Sequence, residues 1–266
     1  MSIGLDTRLV IAKTDAQQPA PSGPRWLKGL GEVLLDLLFP PRCVACHRLG
    51  TWLCAACLNE IETIRPPVCP HCGWPVAEPL HSDPAQPQQG CDRCRQNPLQ
   101  LDGLRACAFH SGPLRQAIHQ FKYEDVRSLA IPLGKLMGAG WPQLWPSDYD
   151  PDVIVPVPLH TSRQRERGYN QSALLARELG VYLRRPVVEH VLIRTRATVP
   201  QVGLNAQERR ANVHDAFRCV NNNLQGKRVL LVDDVCTTGS TLEAASTALK
   251  RSGVSSVWAY TLARAR

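Results

Sequence analysis

A chain of 266 residues, 44% hydrophobic and 20% charged, has apolar material for one sizeable core plus a small accessory module. The formal net charge is +8, and residues 163–218 concentrate it, with eleven Arg and no Lys against five acids; fixed guanidinium charge suits polyanionic partners, although a solvated basic face is the plain alternative. The longest apolar run, residues 33–39, is broken by Asp36 and is too short to span a bilayer, which excludes a membrane-spanning helix there.

Taken in chain order, residues 1–25 are polar and Pro-rich (QQPAPSGP) and predict a disordered tail without the pattern of an export signal, so the expected location is cytoplasmic. Residues 26–38 predict an amphipathic helix with Trp26, Leu30, Val33, Leu34, Leu37 and Leu38 on one side, stopped by Pro40 and Pro41. Such a stripe packs on its own domain more often than on a partner or a membrane surface. This helix and a cysteine-rich segment make a module over 26–98, within which residues 73–90 form a Pro/Gln-rich loop. From residue 99 to 266 the pattern alternates. Strands are predicted at 104–109, 153–157, 187–193, 228–232 and 256–262, and helices at 112–123, 126–140, 170–183 and 241–251. Residues 141–151 read as a Trp/Pro connection. Short buried runs alternating with helices imply an α/β fold with a doubly wound, mainly parallel sheet.

Eight of the eleven cysteines form four C-x-x-C pairs: Cys43 and Cys46, Cys54 and Cys57, Cys69 and Cys72, Cys91 and Cys94. Each such knuckle turns two sulfurs to one side, half of a tetrahedral zinc site, and two knuckles complete a site with four thiolates. Pairing in sequence order is simplest, and a cross-braced pairing is compatible with the spacing. The reading is two structural zinc ions; a redox dithiol rarely occurs in fours. His47, His71 and His81 could each replace a sulfur. Cys107 and Cys219 read as small core residues.

The informative stretch is Val229-Leu-Leu-Val-Asp-Asp-Val-Cys-Thr-Thr-Gly-Ser-Thr241. An apolar strand delivers Asp233 and Asp234 to its carboxyl end, the edge where open α/β sheets bind ligands. The loop Thr237, Thr238, Gly239, Ser240 and Thr241 then opens a helix whose free N–H groups attract an anion. A plain Ser/Thr-capped helix would leave two acids at the end of a buried strand unexplained.

This stretch resembles the thirteen-residue phosphoribosyl pyrophosphate signature of type I phosphoribosyltransferases. Val155-Pro-Val-Pro-Leu-His160, Arg163-x-Arg165-x-Arg167-Gly-Tyr-Asn-Gln171, and Arg194-Thr-x-x-Thr198-x-x-Gln201-x-x-Leu204 with Arg210-x-Asn212 resemble one branch, the ComF competence proteins. The Leu38-Phe-Pro-Pro-Arg-Cys43 lead-in and the paired knuckles, read as a double zinc ribbon, do so too.

The resemblance implies a phosphoribosyltransferase-like protein acting in DNA uptake. Phosphoribosyl pyrophosphate would bind at residues 237–241, at the loop beginning at Pro158, and at Arg163, Arg165 and Arg167, with Mg(II) accompanying the pyrophosphate. Asp233, Asp234 and Arg194 would be the catalytic set, and a loop over 195–204 would close on the ribose. Some members place a carboxylate where this chain has Thr237, so activation of an acceptor is an open question. The alternative is a ribose-phosphate-binding adaptor for single-stranded DNA and a helicase-like partner, with Trp52, Trp74 and Tyr169 as stacking candidates.

Overall fold

The computed structural model describes residues 40–78, 90–146, 149–196, 215–220 and 223–266. In chain order the described elements are α1 (Ala55–Asn59), α2 (Asp92–Gln96), β1 (Gly103–Phe109), α3 (Gly112–Tyr123), α4 (Ala130–Leu144), β2 (Val153–Pro156), α5 (Thr161–Arg167), α6 (Gln171–Leu183), β3 (Leu192–Arg194), β4 (Phe217–Cys219), β5 (Arg228–Cys236), α7 (Ser240–Arg251) and β6 (Ser256–Arg264). The predicted tail, the predicted helix at 26–38 and most of the 195–204 loop lie outside the described residues.

The sheet order is β1–β6–β5–β2, and every pairing is parallel. Side chains alternate across each strand, so the apolar runs serve two cores. Leu230 and Val232 of β5 pack with Leu114, Phe121, Leu133, Met137, Leu175 and Leu179 from α3, α4 and α6. Val229 and Leu231 pack on the other face with Leu242, Ala245 and Leu249 of α7 and with Leu192 and Phe217 of the antiparallel pair β3–β4. All four carboxyl ends of the parallel strands therefore meet at one edge.

The cysteine-rich segment is built onto this sheet. Residues 41–266 form one compact unit, and Leu53, Ile61 and Ile64 join the core of α3 and α4. β1 is an edge strand, and the segment covers it with backbone. Ile64 N–H donates to Cys107 O (2.9 Å), Phe109 N–H to Glu62 O (2.9 Å) and Leu104 N–H to His71 O (2.8 Å). An edge that would otherwise pair with another chain is thereby closed.

The predicted helix at 112–123 matches residue for residue. The strand predicted at 228–232 runs on to Cys236, so both acids lie within it. The strand predicted at 187–193 divides: Val187 bridges to Ile154 beside β2, and only 192–194 continue as β3, away from the main sheet. The polar Glu189-His190 step separates the two parts. The predicted Trp/Pro connection begins inside α4, and its aromatic residues pack together. Trp141 and Trp145 stack at 4.2 Å, Tyr149 lies 4.8 Å from Trp145, and both tryptophans meet Tyr260 edge-on.

Candidate functional site

The knuckles assemble in sequence order. Cys43, Cys46, Cys54 and Cys57 form one cluster and Cys69, Cys72, Cys91 and Cys94 the other, with the sulfurs of each within 4.8 Å of one another. Four sulfurs at the usual Zn–S distance lie about 3.8 Å apart in a tetrahedron. Cys46 and Cys54 are 3.6 Å apart, Cys72 and Cys91 3.6 Å, and Cys69 and Cys94 3.8 Å. Both clusters thus fit a structural zinc ion, and among the described residues no histidine joins either; His81 lies outside them. Burial opposes ionisation of Cys43, but backbone N–H groups led by that of Cys54 prevail and hold its thiol at about 6. A hydrogen bond from Cys72 holds Cys69 at about 4. Their neighbours move the other way: burial raises Cys57 and Cys94, and the hydrogen bond with Cys69 raises Cys72, so each cluster retains protons that a metal ion would displace.

At the carboxyl edge, the two acids take separate partners. Asp233 Oδ1 accepts from Ser172 Oγ–H (2.7 Å) on α6 and from the Asp234 N–H (2.9 Å). Asp234 Oδ1 lies 2.7 Å from Lys122 Nζ at the end of α3. Burial, followed by the neighbouring Asp234 charge, pushes the Asp233 carboxyl up to about 6. Lys122 and Ser172 were not legible as site residues: neither stands in a motif, and only the fold brings α3 and α6 to β5. His110, following β1, feels the same charges. Burial, Lys122 and Arg115 lower its pKa while Asp234 raises it.

The loop after β5 turns through Gly239, whose φ of 90° belongs to the left-handed region that glycine favours. A Cβ there would also lie 3.1 Å from Leu99. Thr238 Oγ1 and Ser240 Oγ are 2.8 Å apart, and the Ser240 N–H donates to Thr238 Oγ1 (3.4 Å). Thr237 is exposed, Thr238 and Thr241 are half-buried, and α7 starts at Ser240. Hydroxyls and first-turn amides therefore converge just past the two acids, an arrangement able to hold a phosphate. Cys236 is buried and its thiol is pushed up to about 11 by burial, so it is a packing residue here.

The arginines divide. Arg163, Arg165 and Arg167 all fall on α5, where positions four apart share a face and positions two apart do not. Arg163 and Arg194 are close enough for their charges to lower the Arg194 pKa, after burial, while Asp233 raises it. His160, two residues beyond Pro158, bridges in parallel to Arg194, which draws the segment after β2 to the same place. Arg167 donates to Gln171 Oε1 (3.0 Å) and lies 5.0 Å from the Tyr123 ring. Arg165 is exposed. Gly168 ends α5 in the left-handed region and Asn170 caps α6 by accepting from Ser172 N–H (3.1 Å). The stacking candidates are engaged in packing. Tyr169 is buried and donates to Phe121 O, and Arg93 covers the Trp74 ring at 3.5 Å.

Two family descriptions match the chain, "Double zinc ribbon domain" over residues 34–95 and "Phosphoribosyl transferase domain" over residues 148–266. Competence protein F of Haemophilus influenzae is 33% identical over 232 residues, covering 84% of this chain and 97% of that protein. DNA utilization protein YhgH of Escherichia coli K12 is 34% identical over 240 residues, covering 86% and 99%. Competence protein ComFC of Bacillus subtilis is 28% identical over 213 residues, covering 80% and 84%. Among the described residues no helix is long and apolar enough to cross a membrane.

Proposed function

We propose, for a chain that belongs to the ComF family, that the carboxyl edge of β5 binds phosphoribosyl pyrophosphate or a related ribose phosphate and that this binding serves DNA uptake. The observation that carries the reading is the Thr237–Thr241 loop: a left-handed Gly239, two hydroxyls 2.8 Å apart and a helix start, immediately after Asp233 and Asp234. The loop amides and the Thr238 and Ser240 hydroxyls hold the 5-phosphate. Asp233 accepts from a ribose hydroxyl, oriented by Ser172. Arg163 and Arg194 offer forked donors to the pyrophosphate oxygens. Each four-cysteine cluster holds one zinc ion as a structural staple.

Asp233 and Asp234 are hard oxygen donors of the kind Mg(II) prefers. When bound with the pyrophosphate, Mg(II) offsets the charge of the leaving group. The chain's own contribution to displacement at ribose C1 is to fix the phosphate groups at both ends of the sugar. The test is release of pyrophosphate from phosphoribosyl pyrophosphate and Mg(II) across nucleobases and amines. A second reading, a ribose-phosphate-binding adaptor that engages single-stranded DNA and a helicase-like partner, is supported by Thr237 standing where a base would be needed and by Lys122 occupying Asp234. Sugar-phosphate binding without any pyrophosphate release favours this adaptor, and release favours the enzyme.

A further inference from the structure

We propose that the cleft between the second cysteine cluster and the Thr237–Thr238 loop is a separate binding site for the phosphate of a nucleotide. The cleft has a volume of about 480 Å³, within the size range of small-molecule sites. Arg93, Arg264 and Arg266 line it together with Thr237, Thr238 and Gln96, and no acid occurs among its described lining residues.

Two aromatic rings in contact fix the three guanidinium groups. Trp74 and Phe109 meet edge-on at 5.9 Å. Arg93 sits 3.5 Å from the Trp74 ring centre and Arg264 5.2 Å from it, and Arg266 lies 4.4 Å from Phe109. The rings keep the exposed Arg93 and Arg266 beside the buried Arg264. Arg264 is only 5% exposed; it donates to the Cys72 carbonyl, yet its Nε–H is buried without a hydrogen-bond partner among the described residues. A buried orphan donor carries a desolvation cost that an oxyanion in the cleft would relieve.

Balancing the charge of a zinc–thiolate cluster would account for Arg264, which faces Cys72. It does not involve Arg266, which is ion-paired with Glu62 and set over Phe109, so a phosphate there would share that guanidinium with Glu62. The Gln96 amide, with one donor and one acceptor side, can meet a base edge beside the phosphate. A free mononucleotide and the 5′ end of a nucleic acid strand present the same phosphate monoester, and the experiment separates them.

The cleft shares Thr237 and Thr238 with the proposed sugar-phosphate loop but has Arg93 and Arg266 to itself, so the test rests on those two arginines. Zinc-loaded full-length protein is titrated calorimetrically with 5′-AMP, and with a short single-stranded oligonucleotide carrying or lacking a 5′-phosphate. The Arg93→Gln/Arg266→Gln variant is expected to weaken phosphate-dependent binding by about tenfold or more. Its zinc content and its affinity for ribose 5-phosphate are expected to stay unchanged. Arg93→Lys/Arg266→Lys keeps the charge but not the planar fork and is expected to bind less tightly than the native chain while folding as it does. A stronger signal from 5′-AMP than from the phosphorylated strand identifies a free nucleotide as the ligand, and the reverse identifies a strand end. Equal affinity in all three proteins, or no 5′-phosphate-dependent binding to the native chain, overturns the proposal. Should ribose 5-phosphate itself fail to bind, the 5′-AMP comparison still decides this site.

Discussion

Lys122 Nζ and Asp234 Oδ1 lie 2.7 Å apart, an ion pair that ties the end of α3 to the end of β5 across the edge where the candidate ligand sits. The side chains are 20% and 11% exposed, so removing the cation leaves a mostly buried carboxylate uncompensated. Lys122→Met is expected to cost about 2–3 kcal/mol in urea unfolding, and Lys122→Met/Asp234→Leu to recover most of that loss. A double variant no more stable than the single one would show that the loss does not come from an uncompensated carboxylate.

Asp233 gives a pH signature. Burial, and then the Asp234 charge, raise its folded pKa from 3.8 to about 6. The folded chain therefore holds this proton more tightly than the unfolded chain. The resulting cost to stability is absent below 3.8 and fully present above about 6. Asp233→Asn removes it, so the variant should gain on the native chain as pH rises from 4 to 7, by on the order of 2 kcal/mol. Paired denaturation curves across that range check it. A gap that is constant, or that narrows with rising pH, contradicts the assignment.

The second zinc cluster and β1 should fail together. His71, beside Cys72, accepts the Leu104 amide through its backbone, and Arg264 donates to the Cys72 carbonyl. Cys72→Ser is expected to lower zinc from two equivalents to one, given the two clusters. It should also strip hydrogen-exchange protection from the Leu104 amide. Retained protection with one zinc lost would show that the sheet edge stands alone.

Gly103 is a packing requirement. A Cβ there would lie 2.2 Å from the Trp258 ring, which Tyr149 and Trp145 hold from other sides at 4.8 and 5.4 Å. Gly103→Ala must displace a close-packed aromatic group and is expected to destabilise by about 1–3 kcal/mol, with a change in tryptophan fluorescence. An unchanged midpoint and spectrum would mean that the cluster yields freely.

What the sequence disclosed and what it withheld follow from range. The four cysteine pairs and the Asp233–Thr241 stretch are contiguous, and local geometry alone makes C-x-x-C a half-site and a strand–loop–helix an anion cradle. The two clusters form in sequence order, and the helix at 112–123 has the predicted bounds. Lys122, Ser172 and His110 reach Asp233 and Asp234 only through tertiary packing, with Ser172 61 positions from its partner, so no local pattern marked them. The arginine triplet was legible as charge but not as direction. Helical spacing on α5 puts Arg165 on a different face from Arg163 and Arg167, a consequence of a helix the sequence reading did not predict. The extent of β5 was underestimated because acids are poor strand residues, yet pairing with β6 carries the strand through them, with Asp233 opposite Thr261 and Cys236 opposite Arg264.

The central claim is that the loop after β5 holds a sugar phosphate, and calorimetric titration of ribose 5-phosphate into the zinc-loaded chain tests it most directly. Saturable binding with Kd tighter than about 1 mM is expected for the native chain. Loss of that heat is expected in Gly239→Ala, where a side chain must enter the left-handed region against Leu99. No heat from the native chain, or equal affinity in Gly239→Ala, would contradict the account.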